Sequence, residues 1–147
     1  MKLKLEPIKI NEDITNKDFQ SEDCQTLLNM WQDYYPKIGF NLPWVGYFVK
    51  RDTTIVGTCA FTGPPVDNKV EVSYWTFKEF EGQGISTTAC KELIKIATSA
   101  QPNIIVIAKT APEKKPSTSI LKKCGFTFTG IVQDHEIGDA WEWTCKP

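Results

Sequence analysis

Hydrophobic and β-branched residues form three short runs in the middle of the chain, and each run has the length of a β-strand. The runs cover residues 44–50, 54–62 and 69–77. Arg51 and Asp52 form a turn signal between the first two runs, and a segment rich in glycine and proline follows the second. Short strands joined by such turns predict an antiparallel meander.

Two longer segments carry hydrophobic residues at the spacing of an amphipathic helix. The first covers residues 18–35, and Pro36 and Gly39 are expected to end it. The second covers residues 85–100, where apolar residues recur on one helical stripe. Each pattern predicts a helix with one face packed on the protein core.

The remaining apolar runs predict shorter elements. They are an edge strand, a buried central strand, a short helix and two closing strands, at residues 3–10, 104–108, 117–123, 126–132 and 140–145. The resulting order is β-α-β-β-β-α-β-α-β-β, which predicts an α+β fold with helices packed on a sheet. Trp141 and Trp143 are predicted to share one face of the last strand.

Composition and charge limit the class of protein. The 147 residues, of which 41% are hydrophobic, predict a single domain covering residues 1–147 with one core. The formal net charge of −1 disfavours a nucleic-acid partner, because phosphate contacts call for a basic surface. The sequence has no run of 18 apolar residues and no signal-peptide pattern, so we expect a cytoplasmic protein without a membrane partner.

The cysteines and the histidine are poorly arranged for a metal site. The five cysteines include no Cys-x-x-Cys pair, and His135 is the single histidine of the sequence. An odd number of widely spaced cysteines also disfavours a disulfide framework. We therefore expect no bound metal, and thiols that are mostly reduced and buried.

A glycine-containing turn precedes the second long helix. Its sequence is Glu81-Gly82-Gln83-Gly84-Ile85-Ser86-Thr87-Thr88. Glycines let a backbone approach a ligand closely, and the first N–H groups of a helix attract a phosphate group. The turn fits neither a Walker loop, which needs a lysine after the second glycine, nor a complete dinucleotide-binding pattern. A plain turn at the start of a helix is the alternative interpretation.

Several motifs, taken in order, resemble one family. The glycine turn is similar to the motif Gln/Arg-x-x-Gly-x-Gly/Ala, and residues 70–77 are similar to the strand before it. Residues 55–61 resemble the preceding strand, and residues 117–126 resemble the element Ser-x-x-x-Leu-x-Lys-x-Gly-Phe. Residues 44–145 therefore resemble the GNAT superfamily of acyl-CoA-dependent N-acetyltransferases.

This resemblance implies a mixed, mostly antiparallel central sheet of six to seven strands flanked by helices. It also implies acetyl-CoA as the acetyl donor, without a metal, bound between two splayed strands. Backbone N–H groups would hold its pantetheine arm and its pyrophosphate. The residues implied for donor binding are Trp75, Thr76, Phe77, Gly82, Gln83, Gly84, Ile85, Ser86, Thr87 and Ser117.

The chain departs from the family pattern at two places. Glu81 stands where the loop motif has glutamine or arginine, and no asparagine precedes Ser117 at the usual spacing. Several lysines are interpreted either as partners of the donor phosphates or as a solvated face. These lysines are Lys109, Lys114, Lys115, Lys122 and Lys123.

The resemblance implies direct attack of an amine on the thioester in a ternary complex. Glu71 is the candidate general base, because it shares a strand face with Ser73 and many family members use a glutamate on this strand. An ordinary solvated glutamate is the alternative. The general acid stays open, since no tyrosine follows Tyr74 and the other candidates are His135 and solvent.

The first long helix is predicted to wall the acceptor site. It carries acids and aromatic rings, namely Glu22, Asp23, Asp33, Trp31, Tyr34 and Tyr35. Such a wall suits a cationic amine on a small molecule or a peptide, and a solvated helix face is the alternative. Two other functions stay open: acyl-CoA binding without turnover, and nucleotide binding unrelated to CoA. The chain is expected to be a monomer or a homodimer.

Overall fold

A computed structural model of the chain describes residues 2–113, 116–134 and 137–146, with side chains at all of these positions except 116 and 117. The strands are β1 (Leu3–Pro7), β2 (Gly46–Arg51), β3 (Thr54–Phe61), β4 (Lys69–Thr76), β5 (Ile105–Thr110), β6 (Thr127–Asp134) and β7 (Gly138–Cys145). The helices are α1 (Glu22–Ile38), α2 (Ile85–Ala100) and α3 (Pro116–Lys123). Short 3₁₀ turns cover Lys17–Phe19 and Lys78–Phe80.

The strands form one seven-stranded sheet in the order β1-β2-β3-β4-β5-β7-β6. Neighbouring strands are antiparallel except β4 and β5, which run parallel. The predicted meander corresponds to β2, β3 and β4, and the two closing strands form the hairpin of β6 and β7. The predicted α+β fold, with a mixed and mostly antiparallel sheet of six to seven strands flanked by helices, is confirmed.

The parallel contact between β4 and β5 is short. It contains three residue pairs, the last of which joins Glu71 to Ile107. Beyond this pair, β4 remains paired with β3 as far as Thr76, whereas β5 remains paired with β7 as far as Thr110. The two halves of the sheet therefore diverge, and a gap opens between the ends of β4 and β5.

Helix α2 packs on the sheet through one apolar stripe. Ile85, Ala89, Leu93 and Ala97 are buried, and their spacing of four residues places them on one face of the helix. Full burial of a leucine or isoleucine side chain contributes about 1.5–3 kcal/mol to folding. Since α2 packs mainly against β4, this burial fixes the first turn of the helix beside the end of that strand.

Helix α1 starts later than the sequence pattern predicts. The pattern places its start at Asp18, but the helix begins at Glu22. The side chain of Ser21 accepts a hydrogen bond from the N–H of Cys24 at 3.1 Å, which caps the helix at that point. The residues before the cap form a 3₁₀ turn whose Phe19 is buried.

The same helix also ends later than predicted. Pro36 lies inside it, and the last helical residue is Ile38. Proline removes one backbone donor, yet the helix continues for two residues beyond it. The Tyr35 ring packs edge-on against Phe40 next to this last turn. Gly39, at a φ of +79°, then ends the helix and donates its N–H to the carbonyl oxygen of Tyr35 at 2.7 Å.

At Gly57, β3 approaches the backbone of β4 so closely that a side chain has no room. A Cβ atom at this position would lie 2.3 Å from the carbonyl oxygen of Trp75, a backbone atom that cannot move without disturbing the ladder. We expect Gly57→Ala to lower the free energy of unfolding by about 1–3 kcal/mol, and the melting temperature by roughly 3–10 °C. The measurement is thermal unfolding followed by circular dichroism.

Thr54→Ala is the matched control, because Thr54 is exposed at the start of the same strand. Its expected change in the free energy of unfolding is within about 0.5 kcal/mol. If Gly57→Ala were as stable as the natural chain, the close approach of β3 and β4 would be contradicted.

Candidate active site

Two pockets open next to β4, and both have that strand in their walls. The first, here called the loop pocket, measures about 630 Å³ and is lined by residues 74–76 of β4, the glycine turn, the start of α2, and α3. The second, here called the cleft, measures about 570 Å³ and is lined by α1, Glu71 and Ser73 of β4, Lys109 of β5 and Asp134 of β6.

The glycine turn leaves its backbone open to the loop pocket. Gly82 and Gly84 have φ values of +79° and +77°, a conformation that glycine adopts without strain. A Cβ atom built on either glycine would meet no heavy atom of the described residues within 4 Å. A ligand can therefore approach the N–H groups of this turn closely.

Helix α2 begins directly after this turn, with Gly84 as its N-cap. A glycine has no side chain with which to cap the helix, and the hydroxyl of Thr88 donates to the carbonyl oxygen of Gly84 at 3.0 Å. The N–H groups of Ile85, Ser86 and Thr87 have no acceptor within the helix. Together with the helix dipole they give this end a partial positive charge that suits an anion.

The peptide groups of residues 68–77 alternate between two directions, as in any antiparallel ladder. The N–H of Phe77 donates to the carbonyl oxygen of Val56 at 2.9 Å, so odd-numbered residues face β3. The carbonyl oxygen of Asn68 accepts from the N–H of Ile105 at 2.9 Å, so even-numbered residues face β5. Beyond the point of divergence, the even-numbered peptide groups therefore face the gap.

This alternation corrects two of the predicted donor-binding amides. Trp75 lines the loop pocket, but its peptide group faces β3, as does that of the buried Phe77. The peptide groups that face the gap belong to Thr76, a predicted residue, and to Tyr74, which sequence reasoning missed. The strand register decides this alternation, and the sequence alone does not reveal the register.

The loop pocket is lined by five further residues of the predicted set, namely Gly82, Gly84, Ile85, Ser86 and Thr87. The hydroxyl of Ser86 lies 2.5 Å from that of Thr76, which joins α2 to β4. Gln83 is not in the lining of this pocket, and its side-chain oxygen accepts a hydrogen bond from Arg51. The guanidinium of Arg51 in turn lies 5.3 Å from the centre of the Phe80 ring.

Helix α3 supplies the far wall of the loop pocket through Ser119, Ile120 and Lys123. The side chain of Ser117, which is also a predicted donor-binding residue, lies outside the described part of the chain. Glu81 lines the same pocket, so its wall carries one acid and one lysine. The acid that departs from the family motif thus faces the site of the expected pyrophosphate.

Helix α1 forms one wall of the cleft. Its contributing residues are Met30, Trp31, Asp33, Tyr34 and Lys37. Of the acids and aromatic residues predicted for the acceptor wall, Asp33, Trp31 and Tyr34 therefore line the cleft. Lys37 was not among them, and it opposes the charge of Asp33.

Three other residues of the predicted wall do not line the cleft. Glu22 and Asp23 lie in the first turn of α1, where acids stabilise the positive end of the helix dipole. Tyr35 is buried, and its hydroxyl donates to the carbonyl oxygen of Ile8 at 2.5 Å and accepts from the N–H of Gly46 at 3.2 Å. Tyr35 therefore attaches α1 to the sheet.

The opposite wall of the cleft carries an ion pair. The Nζ atom of Lys109 lies 3.3 Å from Oε1 of Glu71 and 3.7 Å from Oδ1 of Asp134. Neither sequence interpretation of Lys109, as a phosphate partner or as a solvated residue, agrees with this position. Lys114 and Lys115, which were grouped with it, lie outside the described residues.

Glu71 is partly buried, with 27% of its side chain exposed. Burial raises the pKa of the Glu71 carboxyl, and the Lys109 ammonium offsets only part of this effect. The carboxylates of Asp134 and Glu142 raise the pKa further. A carboxylate with a raised pKa has a greater affinity for a proton, which is the property that a general base needs.

The candidates for a proton donor are Tyr74 and His135. Tyr74 lines the loop pocket, and burial raises its pKa, so its phenol is protonated at neutral pH. His135 lies outside the described residues. All five thiols are free, with four buried and Cys145 half-buried, which confirms the expectation for the cysteines.

No three histidine, cysteine or acidic side chains among residues 2–113, 116–134 and 137–146 lie close enough together to hold a metal ion. Within the same part of the chain, none of the helices combines the length and the apolar character needed to cross a membrane.

Sequence comparisons agree with the motifs. A family model described as the acetyltransferase (GNAT) domain matches residues 8–127. YdaF of Bacillus subtilis (strain 168), which is named a ribosomal N-acetyltransferase, is 37% identical over 70 residues. These residues are 47% of this chain and 38% of YdaF, so the match spans well under half of that relative.

Solved structures show the same fold. A Vibrio cholerae protein described as a ribosomal-protein-serine acetyltransferase superposes with a TM-score of 0.72 at 17% identity, covering 99% of this chain and 94% of that one. The microcin self-immunity acetyltransferase MccE, solved with acetyl-CoA and AMP, gives a TM-score of 0.67 at 22% identity, covering 85% and 71%. The family model covers most of the chain, and the chain therefore belongs to the GNAT acetyltransferase family.

Proposed function

We propose that this chain transfers an acetyl group from acetyl-CoA to a primary amine, with Glu71 as the general base. The observation that carries the proposal is the divergence of β4 and β5 after three pairs. Both pockets therefore lie along the same strand, β4. Glu71 and Ser73 line the cleft, and residues 74–76 line the loop pocket.

The loop pocket fits the chemistry of the donor. The uncapped start of α2 offers N–H groups to a pyrophosphate, and the open turn at Gly82 and Gly84 lets it come close. The peptide groups of Tyr74 and Thr76 face the gap, where the amides of a pantetheine arm can pair with them in the manner of a strand. A volume of about 630 Å³ is in the usual range for a ligand site.

The acceptor nitrogen attacks the thioester carbonyl carbon directly. A C–N bond forms, the C–S bond breaks, and the sulfur leaves as a thiolate. The second proton, which the nitrogen loses as the amide forms, passes to this thiolate or to solvent, since an ordinary thiol has a pKa of about 8.5. The N–H of Tyr74 is the gap-facing amide nearest to the cleft, and it donates to the carbonyl oxygen as charge develops there. A covalent enzyme intermediate is not required, and burial raises the pKa of Cys59, which makes that thiol a poor nucleophile.

The proton of the acceptor amine passes to Glu71. A primary ammonium with a pKa of about 10 is protonated at neutral pH and must lose a proton before it can attack. Glu71 lines the cleft together with Ser73, three residues before the gap-facing Tyr74, and its pKa is raised. It takes the proton directly or through one water molecule.

The lining of the cleft favours a cationic acceptor. It includes three acids, Asp33, Glu71 and Asp134, but two lysines, Lys37 and Lys109, so one negative charge is left over. An approaching ammonium is attracted by this excess charge. The aromatic rings on α1 provide faces that also attract cations. A primary amine on a small molecule or a peptide fits this description.

A second candidate function is acyl-CoA binding without turnover. The ion pair between Glu71 and Lys109 favours it, because a carboxylate engaged by a lysine is a weaker base. Release of CoA thiol in the presence of amines separates the two functions, since a binding domain releases none. Stabilisation by ATP or NAD instead of CoA would indicate a nucleotide-binding domain.

The donor site is tested by thermal unfolding with acetyl-CoA, CoA, ATP and NAD at matched concentrations. We expect only the two CoA species to stabilise the chain, by about 2.7 kcal/mol at 100 times the dissociation constant. The Glu71→Gln variant should show the same stabilisation, because Glu71 lines the cleft and not the loop pocket.

The base is tested with the same variant in turnover. Glu71→Gln is expected to lower kcat/KM for an amine about 10²–10⁴-fold, because the amide cannot accept the proton. The measurement is CoA thiol release with an amine acceptor. Turnover equal to that of the natural chain would exclude Glu71 as the base.

Glu81 is expected to weaken donor binding through its charge. Glu81→Gln should bind acetyl-CoA about 2–5-fold more tightly at low ionic strength, since one negative charge near the pyrophosphate is removed. The affinity is measured by titration calorimetry. Glu79→Gln is the control, because Glu79 is exposed two residues away and does not line the pocket. Equal gains in the two variants would show that Glu81 has no local effect.

The acceptor wall is tested at Asp33. Asp33→Asn is expected to raise the KM for a cationic amine several-fold and to leave acetyl-CoA affinity unchanged, since Asp33 lines the cleft. Glu22→Gln serves as the control on the same helix, because Glu22 is exposed in the first turn. A preference for neutral or anionic acceptors in an amine screen would contradict the cationic assignment.

A further inference from the structure

We propose that Lys109 is the positioning residue of Glu71: its ammonium bridges the gap where β4 and β5 separate and holds the carboxylate ionised and fixed at the wall of the cleft. This inference rests on the proposed function, because it assigns a partner to the proposed base. It also explains why the lysine is placed among acids instead of near the loop pocket.

The sheet register places the two side chains on one face. Glu71 is paired with Ile107 in the last parallel pair, and Lys109 follows two residues later on β5. Residues two apart on a strand point to the same face, so Lys109 is the diagonal neighbour of Glu71. The contact of 3.3 Å between Nζ and Oε1 thus spans β4 and β5 where their ladder has ended.

On its other side, Lys109 is held by β6 and β7. It is paired across the ladder with Glu142, and its Nζ lies 3.7 Å from Oδ1 of Asp134. Burial on its own lowers the pKa of the Lys109 ammonium, but the carboxylates of Glu71, Asp134 and Glu142 outweigh this effect and the pKa is raised. Lys109 therefore stays a cation at neutral pH and is excluded as the proton acceptor.

The charges around Glu71 come from every element of the cleft. Asp134 on β6 and Glu142 on β7 add like charge and raise the pKa of its carboxyl, as burial does. Helix α1 adds Asp33 and Lys37, which oppose each other in the lining. Among the described side chains, Lys109 is the cation in direct contact with Glu71. Lys109 therefore limits the rise in the pKa of Glu71 that burial and the neighbouring acids produce.

The ion pair gives the two carboxylate oxygens of Glu71 different roles. Lys109 engages Oε1, and Oε2 is the oxygen that takes the proton of the acceptor amine. Without the lysine, the carboxylate has lost its neighbouring cation and rotates more freely. At neutral pH, Glu71 is then already protonated in a larger share of the molecules, and these molecules have no carboxylate to accept the proton of the amine.

The test compares Lys109→Met, which keeps an apolar stem but no charge, with Lys109→Arg, which keeps the charge. The measurement is kcat/KM for an amine acceptor as a function of pH. We expect the acid limb of the profile to move up by about one pH unit or more in Lys109→Met, because an adjacent opposite charge lowers a carboxyl pKa by that amount. Lys109→Arg should restore most of the original midpoint.

A purely structural role gives a different result. If Lys109→Met lowered kcat/KM equally at all pH values with an unchanged midpoint, the proposal would be overturned. Thermal stabilisation by acetyl-CoA confirms that each variant is folded with an intact donor site. Lys109→Gln replaces Lys109→Met if the apolar side chain prevents folding.

A readout that does not need turnover separates this inference from the proposed function. In a ¹³C-glutamate-labelled chain, the carboxyl signal of Glu71 is assigned by its loss in Glu71→Gln and is then titrated with pH. A midpoint that rises in Lys109→Met supports the inference, and an unchanged midpoint overturns it. Absence of thiol release from the natural chain with any amine overturns the proposed function alone.

Discussion

The parallel pairing of β4 with β5 ends after three residue pairs, and the candidate site depends on this end. Each strand is committed to an antiparallel ladder on its other side, β4 with β3 and β5 with β7. Beyond the third pair the two ladders diverge. The peptide groups of Tyr74 and Thr76 then face a gap instead of a neighbouring strand. An extended ligand with amides of its own would meet these peptide groups at this edge of β4.

The same divergence explains the charge arrangement of the cleft. A partly buried carboxylate is costly unless a counter-ion lies next to it. Glu71 stands at the last parallel pair, where β4 is about to separate from β5, and Lys109 reaches it from the far side of the gap. The lysine is surrounded in turn by acids from β6 and β7. The ion pair that makes this carboxylate tolerable in the fold therefore also limits the rise in its pKa that burial produces.

Most of the fold follows from local patterns in the sequence. Apolar residues recur about every second position in the strands and about every fourth in α2, because each of these elements buries one face. This spacing is sufficient to place the meander and α2, and the glycine turn lies between them. The limits of α1 are less predictable: Ser21 caps its start, and of the two expected stop signals Pro36 lies inside the helix whereas Gly39 ends it. In the site, Tyr74 and Lys109 are not recoverable from the sequence. Both depend on register, which sets the direction of a peptide group and the neighbour of a side chain across strands that are far apart in the chain.

The thiol of Cys124 has a consequence for how this protein can be observed. It lies directly after α3 and donates to the carbonyl oxygen of Thr87, in the first turn of α2, at 3.5 Å. A hydrogen bond from Cys90 lowers the pKa of this thiol, although its side chain is buried. Its sulfur therefore lies where α3 meets the first turn of α2, two elements that both line the loop pocket. Alkylation of Cys124 requires this buried sulfur to become exposed, so its rate reports on the packing at that contact.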